Sequence, residues 1–208
     1  MKQYLQQRKG LVQGVFDKVF DKYDAMNDFM SLGAHRVWKK NFILSLHPSI
    51  NKSLIDVACG TGDIAKLYIK STNEEANIMC VDPNINMIKS CKKRLNKFKN
   101  IKWKLSGAEN LKIKSNSYDF YTISFGLRNT KNIKKSLEEA YRVLKPGGRF
   151  IISSDAGDED HGEFSNAETF IKMIEKSGLK LTSPFDYTVD DDTFYSHPYK
   201  VVSLVFEK

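Results

Sequence analysis

The sequence has few cysteines and no long hydrophobic run. Its three cysteines, Cys59, Cys80 and Cys91, are odd in number and lack C-x-x-C spacing, which argues against a disulfide framework and predicts no metal site. The longest apolar stretches, such as residues 201–206, fall far short of the roughly 20 residues that span a bilayer. Residues 1–10 are polar and lack the apolar core of a signal peptide. We therefore expect a reduced, cytoplasmic protein that does not cross a membrane.

Acidic residues are scarce relative to basic ones, and the formal net charge is +8. Residues 89–104 contain eight Lys or Arg and no Asp or Glu. In a chain rich in lysine and asparagine, such a run is typical of the solvated face of a surface helix and its loop. The functional alternative is peripheral contact with an anionic membrane surface. No nucleic-acid partner is expected, because no Asn-Pro-Pro-Tyr or similar base-handling motif is present.

Short apolar segments alternate with stretches of helical periodicity, and no internal repeat or low-complexity linker interrupts them. This alternation predicts an α/β fold with a doubly wound, mostly parallel, seven-stranded Rossmann-like sheet. Residues 11–47 are predicted to be helical, as are residues 131–144 and 165–177, the last helix being stopped by Gly178. The predicted strands are residues 53–58, 77–81, 101–105, 118–124 and 148–153, with 180–189 and 199–207 closing the sheet as an antiparallel hairpin.

Residues 55–63, IDVACGTGD, have the pattern of a buried strand that runs through a glycine turn into a helix. Gly60 and Gly62 lack a Cβ, so a ligand can lie against bare peptide N–H groups at the start of that helix. The turn also satisfies the loose G-x-G-x-x-A pattern of dinucleotide-binding folds, and Asp82 lies 20 residues after Gly62, where a ribose-binding carboxylate is expected. Both a nicotinamide dinucleotide and S-adenosylmethionine fit this pattern.

Three further features favour S-adenosylmethionine. They are Asp56 inside the first strand, Asp63 at the helix start, and residues 143–150, VLKPGGRF. An acidic residue at the helix start suits an amino-acid ammonium and a sulfonium better than a pyrophosphate. The Leu-Lys-Pro-Gly-Gly-Arg turn before an apolar strand resembles that of class I S-adenosylmethionine-dependent methyltransferases, whose motifs recur here in order.

Two other segments narrow the resemblance. Residues 15–39, VFDKVFDKYDAMNDFMSLGAHRVWK, and residues 123–129, ISFGLRN, resemble the ubiquinone/menaquinone biosynthesis C-methyltransferases, the UbiE family. The resemblance runs over residues 15–152. It implies methyl transfer from S-adenosylmethionine to a ring carbon of a prenylated, lipid-soluble quinol, and a homodimer. It also implies one domain over residues 1–208, with a helical cap at 1–50, a cofactor-binding core at 51–153, and the last helix and closing strands at 154–208.

The family resemblance and the glycine turn together predict the cofactor site. Asp82 would accept hydrogen bonds from both ribose hydroxyls, and the less favoured interpretation is a strand-end turn with Pro83. The hydroxyl of Ser124 is placed at the cofactor by the resemblance, but a backbone group could satisfy it instead. The predicted cofactor-binding residues are Asp56, Gly60, Thr61, Gly62, Asp82, Gly107, Ala108 and Ser124.

Carbon methylation requires an electron-rich ring, so the quinol must lose a phenolic proton as its carbon attacks the methyl group. Arg128 is the predicted anion-stabilising residue, because a guanidinium remains charged and can hold a phenolate. Asn129 would orient the same oxygen, and Tyr23 would complete the polar cluster. The predicted catalytic residues are thus Arg128, Asn129 and Tyr23, with His35 as an alternative base.

Other interpretations of these residues remain open. Arg128 could instead be a structural ion-pair partner of Asp24 or Asp28, and His35 could simply begin a helix. The acidic cluster of Asp158, Asp160, His161 and Glu163 fits a solvated loop better than a metal site.

The chain departs from the family pattern in two places. Gly107 replaces the Asp or Asn that reaches the adenine amino group, and the sequence after Ser153 lacks the aromatic-rich helical insertion that encloses the prenyl substrate. These departures support two alternatives. One is a methyltransferase acting on a smaller acceptor, and the other is a non-catalytic cofactor-binding scaffold protein.

Overall fold

A computed structural model describes residues 34–156, 167–185 and 200–208. The elements in chain order are α1 (Ala34–Leu44), β1 (Leu54–Val57), α2 (Asp63–Ser71), β2 (Ile78–Asp82), α3 (Ile85–Leu95), β3 (Ile101–Leu105), β4 (Tyr118–Ser124), a 3-10 helix (Leu127–Asn129), α4 (Ile133–Val143), β5 (Leu144–Ala156), α5 (Ala167–Glu175), β6 (Lys180–Phe185) and β7 (Lys200–Glu207).

The seven strands form one sheet in the order β3-β2-β1-β4-β5-β7-β6. Strands β1 to β5 pair in parallel, whereas β7 lies antiparallel between β5 and β6. The order reverses at β1, where the chain winds first to one side of the sheet and then to the other. The predicted doubly wound, mostly parallel seven-stranded fold is therefore confirmed, and a ligand-binding crevice is expected where β1 and β4 end.

Helices cover both faces of this sheet. Leu54 of β1 packs in one core cluster with Tyr68 of α2 and Leu95 of α3. Its neighbour Ile55 points to the opposite face and packs with Leu137 of α4. All four residues of β1 are buried, because a central parallel strand is covered on both sides.

The N-terminal helical prediction can be compared with the structure only from residue 34 onward. Helix α1 packs against α2, and Phe42 and Leu46 are buried in the core cluster that contains Tyr68. Residues 11–33 of the predicted helical region lie outside the described residues, so the domain boundaries at 50 and 153 stay predictions.

The Gly-Gly turn lies inside β5 rather than before it. The predicted strand 148–153 is in fact Leu144–Ala156, because Leu144 already pairs with Tyr118 before a register shift. Gly147 has φ +72° and donates its N–H to the carbonyl of Lys208 at 3.1 Å. The two glycines thus form a bulge, which a pattern search interprets as a turn.

Candidate functional site

The backbone is strained where β1 and β4 end. Ala58, which follows β1, has φ +53°, and Phe125, which follows β4, has φ +54°. The two strand ends touch, since a Cβ at Gly126 would lie 2.4 Å from the Cβ of Ala58. Left-handed non-glycine residues cost free energy and concentrate at functional sites. Sequence reasoning missed this pair, because neither residue type favours positive φ.

The two glycines of the predicted turn have different roles. Gly60 has φ +55°, and a Cβ placed there would meet no atom within 4 Å. Gly62 has φ +87° and precedes α2, but a Cβ there would lie 2.6 Å from Sγ of Cys91 and 2.8 Å from Leu95. Gly62 therefore allows α2 to pack against α3, whereas Gly60 leaves open space for a ligand.

Asp82 fixes the glycine turn to the end of β2. Its Oδ2 accepts the N–H of Gly60 at 2.9 Å, and its Oδ1 accepts the N–H of Asn84 at 2.8 Å. The side chain is 6% exposed, and burial raises the pKa of this carboxyl. Each carboxylate oxygen retains a second acceptor site, so the strand-end turn and a ribose contact are compatible.

Asp56 lies deeper than a residue that lines an open cleft. It is 1% exposed, and Thr122 of the neighbouring strand donates its hydroxyl to Oδ1 at 2.9 Å. Burial raises the pKa of Asp56 to about 8. Its Oδ2 is buried without a hydrogen-bond partner among the described residues, which leaves an acceptor for a ligand that brings an N–H donor.

Asp63 has partners within the chain. Its Oδ2 pairs with Nζ of Lys39 in α1, and its Oδ1 lies 2.6 Å from Nη1 of Arg94 in α3. The same guanidinium nitrogen donates to Oγ1 of Thr61 at 3.2 Å. Burial would raise the pKa of Asp63, but the two cations outweigh burial and lower it. Asp63 was expected to face a ligand ammonium. In the structure its two ion pairs join the start of α2 to α1 and α3.

Gly107 and Ala108 follow β3, and Ala108 is buried. A Cβ at Gly107 would lie 2.6 Å from Oε2 of Glu109. Oε1 of Glu109 accepts the backbone N–H groups of Lys131 and Asn132, the latter at 3.3 Å. The carboxylate of Glu109 therefore ties this segment to the start of α4.

Arg128 and Asn129 lie directly after β4, in the 3-10 helix Leu127–Asn129. Ser124 is the last residue of β4 and is half-buried. Asn129 donates its side-chain N–H to the carbonyl of Phe125 at 3.4 Å. Arg128 borders a cavity of about 610 Å³ whose wall is rich in lysine. Ser124, Arg128 and Asn129 therefore share the carboxyl edge of the sheet with the glycine turn.

Several predicted residues cannot be placed. Tyr23, Asp24, Asp28 and the acidic loop with Asp158 lie outside the described residues. His35 belongs to α1, but its side chain is also outside them.

The three cysteines meet beneath the glycine turn, which no spacing along the chain predicted. Their sulfur atoms all lie within 4.8 Å of one another. The neighbouring thiols of Cys59 and Cys80 lower the pKa of the Cys91 thiol.

Taken together, the carboxyl ends of β1, β2 and β4 offer open space at Gly60 and acceptor sites on Asp82, with the Oδ2 of Asp56 buried below that edge. Helix α2 starts at the same place, and its N-terminal N–H groups point to this edge. The residues present fit a ligand with vicinal hydroxyls and an amine, such as a nucleoside joined to an amino acid.

Residues 2–156 match the model of the ubiE/COQ5 methyltransferase family. The chain is 48% identical over 150 residues to a protein of Rickettsia akari named ubiquinone/menaquinone biosynthesis C-methyltransferase UbiE, covering 69% of this chain and 60% of the relative. A protein of the same name from Rickettsia prowazekii is 45% identical over 150 residues, with the same coverage. The chain thus spans about 60% of the length of these curated relatives.

Solved structures share the fold at low sequence identity. The [4+2]-cyclase SpnF matches with a TM-score of 0.70 and 16% identity over 82% of this chain and 80% of that protein. A SAM-dependent methyltransferase from Aquifex aeolicus matches with a TM-score of 0.60 and 21% identity over 74% and 81%. Because one of these neighbours is a cyclase, the shared fold alone does not assign an activity.

Proposed function

We propose that this chain, which belongs to the ubiE/COQ5 methyltransferase family, transfers a methyl group from S-adenosylmethionine to a ring carbon of a prenylated quinol in ubiquinone/menaquinone biosynthesis. The observation that carries the proposal is the arrangement of Gly60 and Asp82. The open space at Gly60 lies beside a buried carboxylate that still has acceptor sites.

S-adenosylmethionine, when bound, supplies an electrophilic methyl group on a sulfonium. Asp82 would accept hydrogen bonds from its ribose hydroxyls, and Asp56, whose buried Oδ2 has no hydrogen-bond partner among the described residues, would accept a donor from its amino-acid part. The bare backbone at Gly60 would admit the ligand to van der Waals contact. Thr61, Gly62, Gly107, Ala108 and Ser124 complete the proposed cofactor site.

Arg128 and Asn129 would act on the acceptor. Loss of the phenolic proton to a base would leave negative charge on the quinol oxygen, and the ring carbon would then take the methyl group as its bond to sulfur breaks. Loss of the proton on that carbon would restore the aromatic ring. The guanidinium of Arg128 would stabilise that oxygen, and Asn129 would orient it. Tyr23 is the third proposed member of the cluster, and His35 is the alternative proton acceptor.

A lipid-soluble acceptor places the reaction at a membrane surface. Within the described residues, no helix is long and apolar enough to cross a membrane. Helix α3 and strand β3 carry exposed lysines, and Ile85 and Leu105 are exposed in the same two elements. Basic and apolar side chains together suit contact with anionic lipid. We further propose a homodimer, which equilibrium sedimentation would measure.

The test is transfer of labelled methyl from S-adenosylmethionine to chemically reduced demethylated quinols with short and long tails, with and without anionic vesicles. Arg128→Ala should abolish transfer while cofactor affinity, measured by calorimetry, stays within severalfold. Arg149→Ala is the matched control, because Arg149 lies away from the carboxyl edge of the sheet. In β5 it pairs with Phe120, four residues before Ser153 pairs with Ser124 at that edge. The control variant should keep near-normal turnover.

The possible results separate the alternatives. Near-normal turnover of Arg128→Ala would remove this residue from the mechanism. If the cofactor binds but no quinol is methylated, the chain acts on a smaller acceptor or serves as a scaffold. If vesicles do not accelerate transfer to long-tailed quinols, the membrane contact is wrong.

A further inference from the structure

All three cysteines of the chain converge on one point in the core. Cys59 lies in the turn after β1, Cys80 in β2 and Cys91 in α3, so they come from three separate elements. Their sulfur atoms all lie within 4.8 Å of one another, and all three side chains are buried. Cysteine is otherwise absent from the 208 residues. Three scarce thiols in mutual contact form a ready set of metal ligands.

We propose that Cys59, Cys80 and Cys91 form a binding site for a soft metal ion of low coordination number, with Cu⁺ as the ion that fits. Three atoms that lie within 4.8 Å of one another have a common point about 2.8 Å or less from each. Metal–thiolate bonds are about 2.3 Å long, so shifts of a few tenths of an ångström would complete the site.

The number and softness of the ligands select the ion. Thiolate sulfur favours Cu⁺ and Zn²⁺ over hard cations such as Mg²⁺ and Ca²⁺. Structural Zn²⁺ sites are almost always four-coordinate. In the described part of the chain, no histidine, aspartate or glutamate joins the three sulfurs as a fourth ligand. A buried set of three thiolates therefore suits an ion that accepts trigonal coordination.

The surroundings would stabilise bound thiolates. The indole N–H of Trp103 lies beside the sulfur of Cys91, buried and without another hydrogen-bond partner among the described residues. The positive charge of Arg94 also acts on Cys91. An N–H donor and a cation beside a metal-bound thiolate offset the negative charge of its sulfur. Groups that hydrogen-bond to the ligands of a metal have this role in established metal sites.

The bound ion would cross-link three segments beneath the glycine turn. Cys59 immediately precedes Gly60, and Sγ of Cys91 lies against Gly62, where no Cβ would fit. Cys80 lies two residues before Asp82. One ion would thus join the β1 turn, β2 and α3, three segments that are separate in the chain.

The experiment is an oxygen-free titration of the reduced full chain with Cu⁺ delivered from a coloured Cu⁺ chelator. The protein should withdraw one equivalent, and X-ray absorption at the copper edge should report three sulfur neighbours at about 2.3 Å. Binding should also raise the melting temperature, because the unfolded chain does not hold the three thiols together. None of these readouts depends on methyl transfer.

Each of Cys59→Ser, Cys80→Ser and Cys91→Ser should lose the single bound equivalent. Met87→Leu is the matched control, since Met87 is a buried sulfur-containing residue of α3 outside the cluster, and it should bind Cu⁺ as the unchanged chain does. Circular dichroism establishes that each variant is folded. The absorption measurement on the unchanged chain tests the proposal even if a variant fails to fold.

Two kinds of result would overturn the proposal. One is a chain that withdraws no Cu⁺, or that binds it through nitrogen or oxygen, or through fewer than three sulfurs. The other is a parallel Zn²⁺ titration in which the same cysteines bind Zn²⁺ more tightly and with a fourth ligand, which would refute the low coordination number.

Discussion

Replacing three glycines by alanine, one at a time, tests how the turn after β1 works. Gly60, Gly62 and Gly147 all have positive φ, at +55°, +87° and +72°. An L-residue in the left-handed region costs about 1–2 kcal/mol of folding free energy. Alanine also lowers the conformational entropy of the unfolded chain relative to glycine, which offsets about 0.4–1 kcal/mol of that cost. Each substitution should therefore cost about 1 kcal/mol in folding free energy from backbone strain alone. Differences beyond that value report what the new methyl group meets.

The methyl groups meet different surroundings. At Gly60 and Gly147 nothing lies within 4 Å, whereas at Gly62 the new Cβ would lie 2.6 Å from Sγ of Cys91 and 2.8 Å from Leu95. Overpacking of this kind adds about 1–3 kcal/mol. We expect Gly62→Ala to lose about 2–4 kcal/mol of stability, and the other two variants about 1 kcal/mol each.

Cofactor binding separates Gly60→Ala from Gly147→Ala, which should be equally stable. The alanine methyl at position 60 would occupy the space proposed for the ligand, and a steric conflict of about 1–3 kcal/mol weakens binding roughly 5- to 150-fold. Gly147→Ala should bind S-adenosylmethionine like the unchanged chain, because Gly147 lies in the β5 bulge beside Lys208. Urea unfolding and isothermal titration calorimetry measure the two quantities.

The result that would refute this reasoning is specific. Normal cofactor affinity in Gly60→Ala would show that the ligand does not lie over this residue. Equal stability of Gly62→Ala and Gly147→Ala would show that the contact with α3 is not tight.

Two further predictions concern stability. Burial would raise the pKa of Asp119, but hydrogen bonds such as that from Lys145 at 2.8 Å outweigh burial and hold the pKa at about 2. In the unfolded chain the pKa is near 3.8, so the ionised carboxylate should contribute about 2 kcal/mol to the stability of the folded protein. That contribution should be present above pH 4 and lost between pH 4 and 2. Asp119→Asn should lack that part of the acid dependence in urea unfolding, and an unchanged acid profile would contradict the assignment. Phe150 is fully buried between the rings of Tyr121 and Phe206, at centroid distances of 5.3 and 6.0 Å, so Phe150→Ala should cost about 3–5 kcal/mol, and a loss below 1 kcal/mol would show that the core collapses into the space.

The fold was largely predictable because its signals are local. Alternating apolar strands and helical periodicity, together with Gly60 and Gly62, predicted the parallel sheet and the edge where a ligand would lie, and the sheet order confirms the architecture. The element bounds were mostly close, and β5 was the exception, because a bulge at Gly147 breaks the strand pattern.

The roles of individual side chains were less predictable, since each depends on partners far along the sequence. Asp63 was expected to face a ligand ammonium, and it pairs instead with Lys39 and Arg94. Asp56 stays a predicted cofactor residue, and only the structure shows that its carboxyl lies inside the sheet, where it accepts the hydroxyl of Thr122. Such contacts follow from strand register and helix packing, which periodicity does not specify.

The sequence by itself determined the α/β architecture, the glycine turn after β1 and the family, because these follow from local patterns and from ordered motifs. The tertiary structure alone decided which residues meet at the ends of the strands. It brought Cys59, Cys80 and Cys91 together from three elements, and it placed Ala58 and Phe125 in left-handed conformations where β1 and β4 touch. Convergence of this kind depends on how the helices pack on the sheet, so no spacing along the chain reveals it.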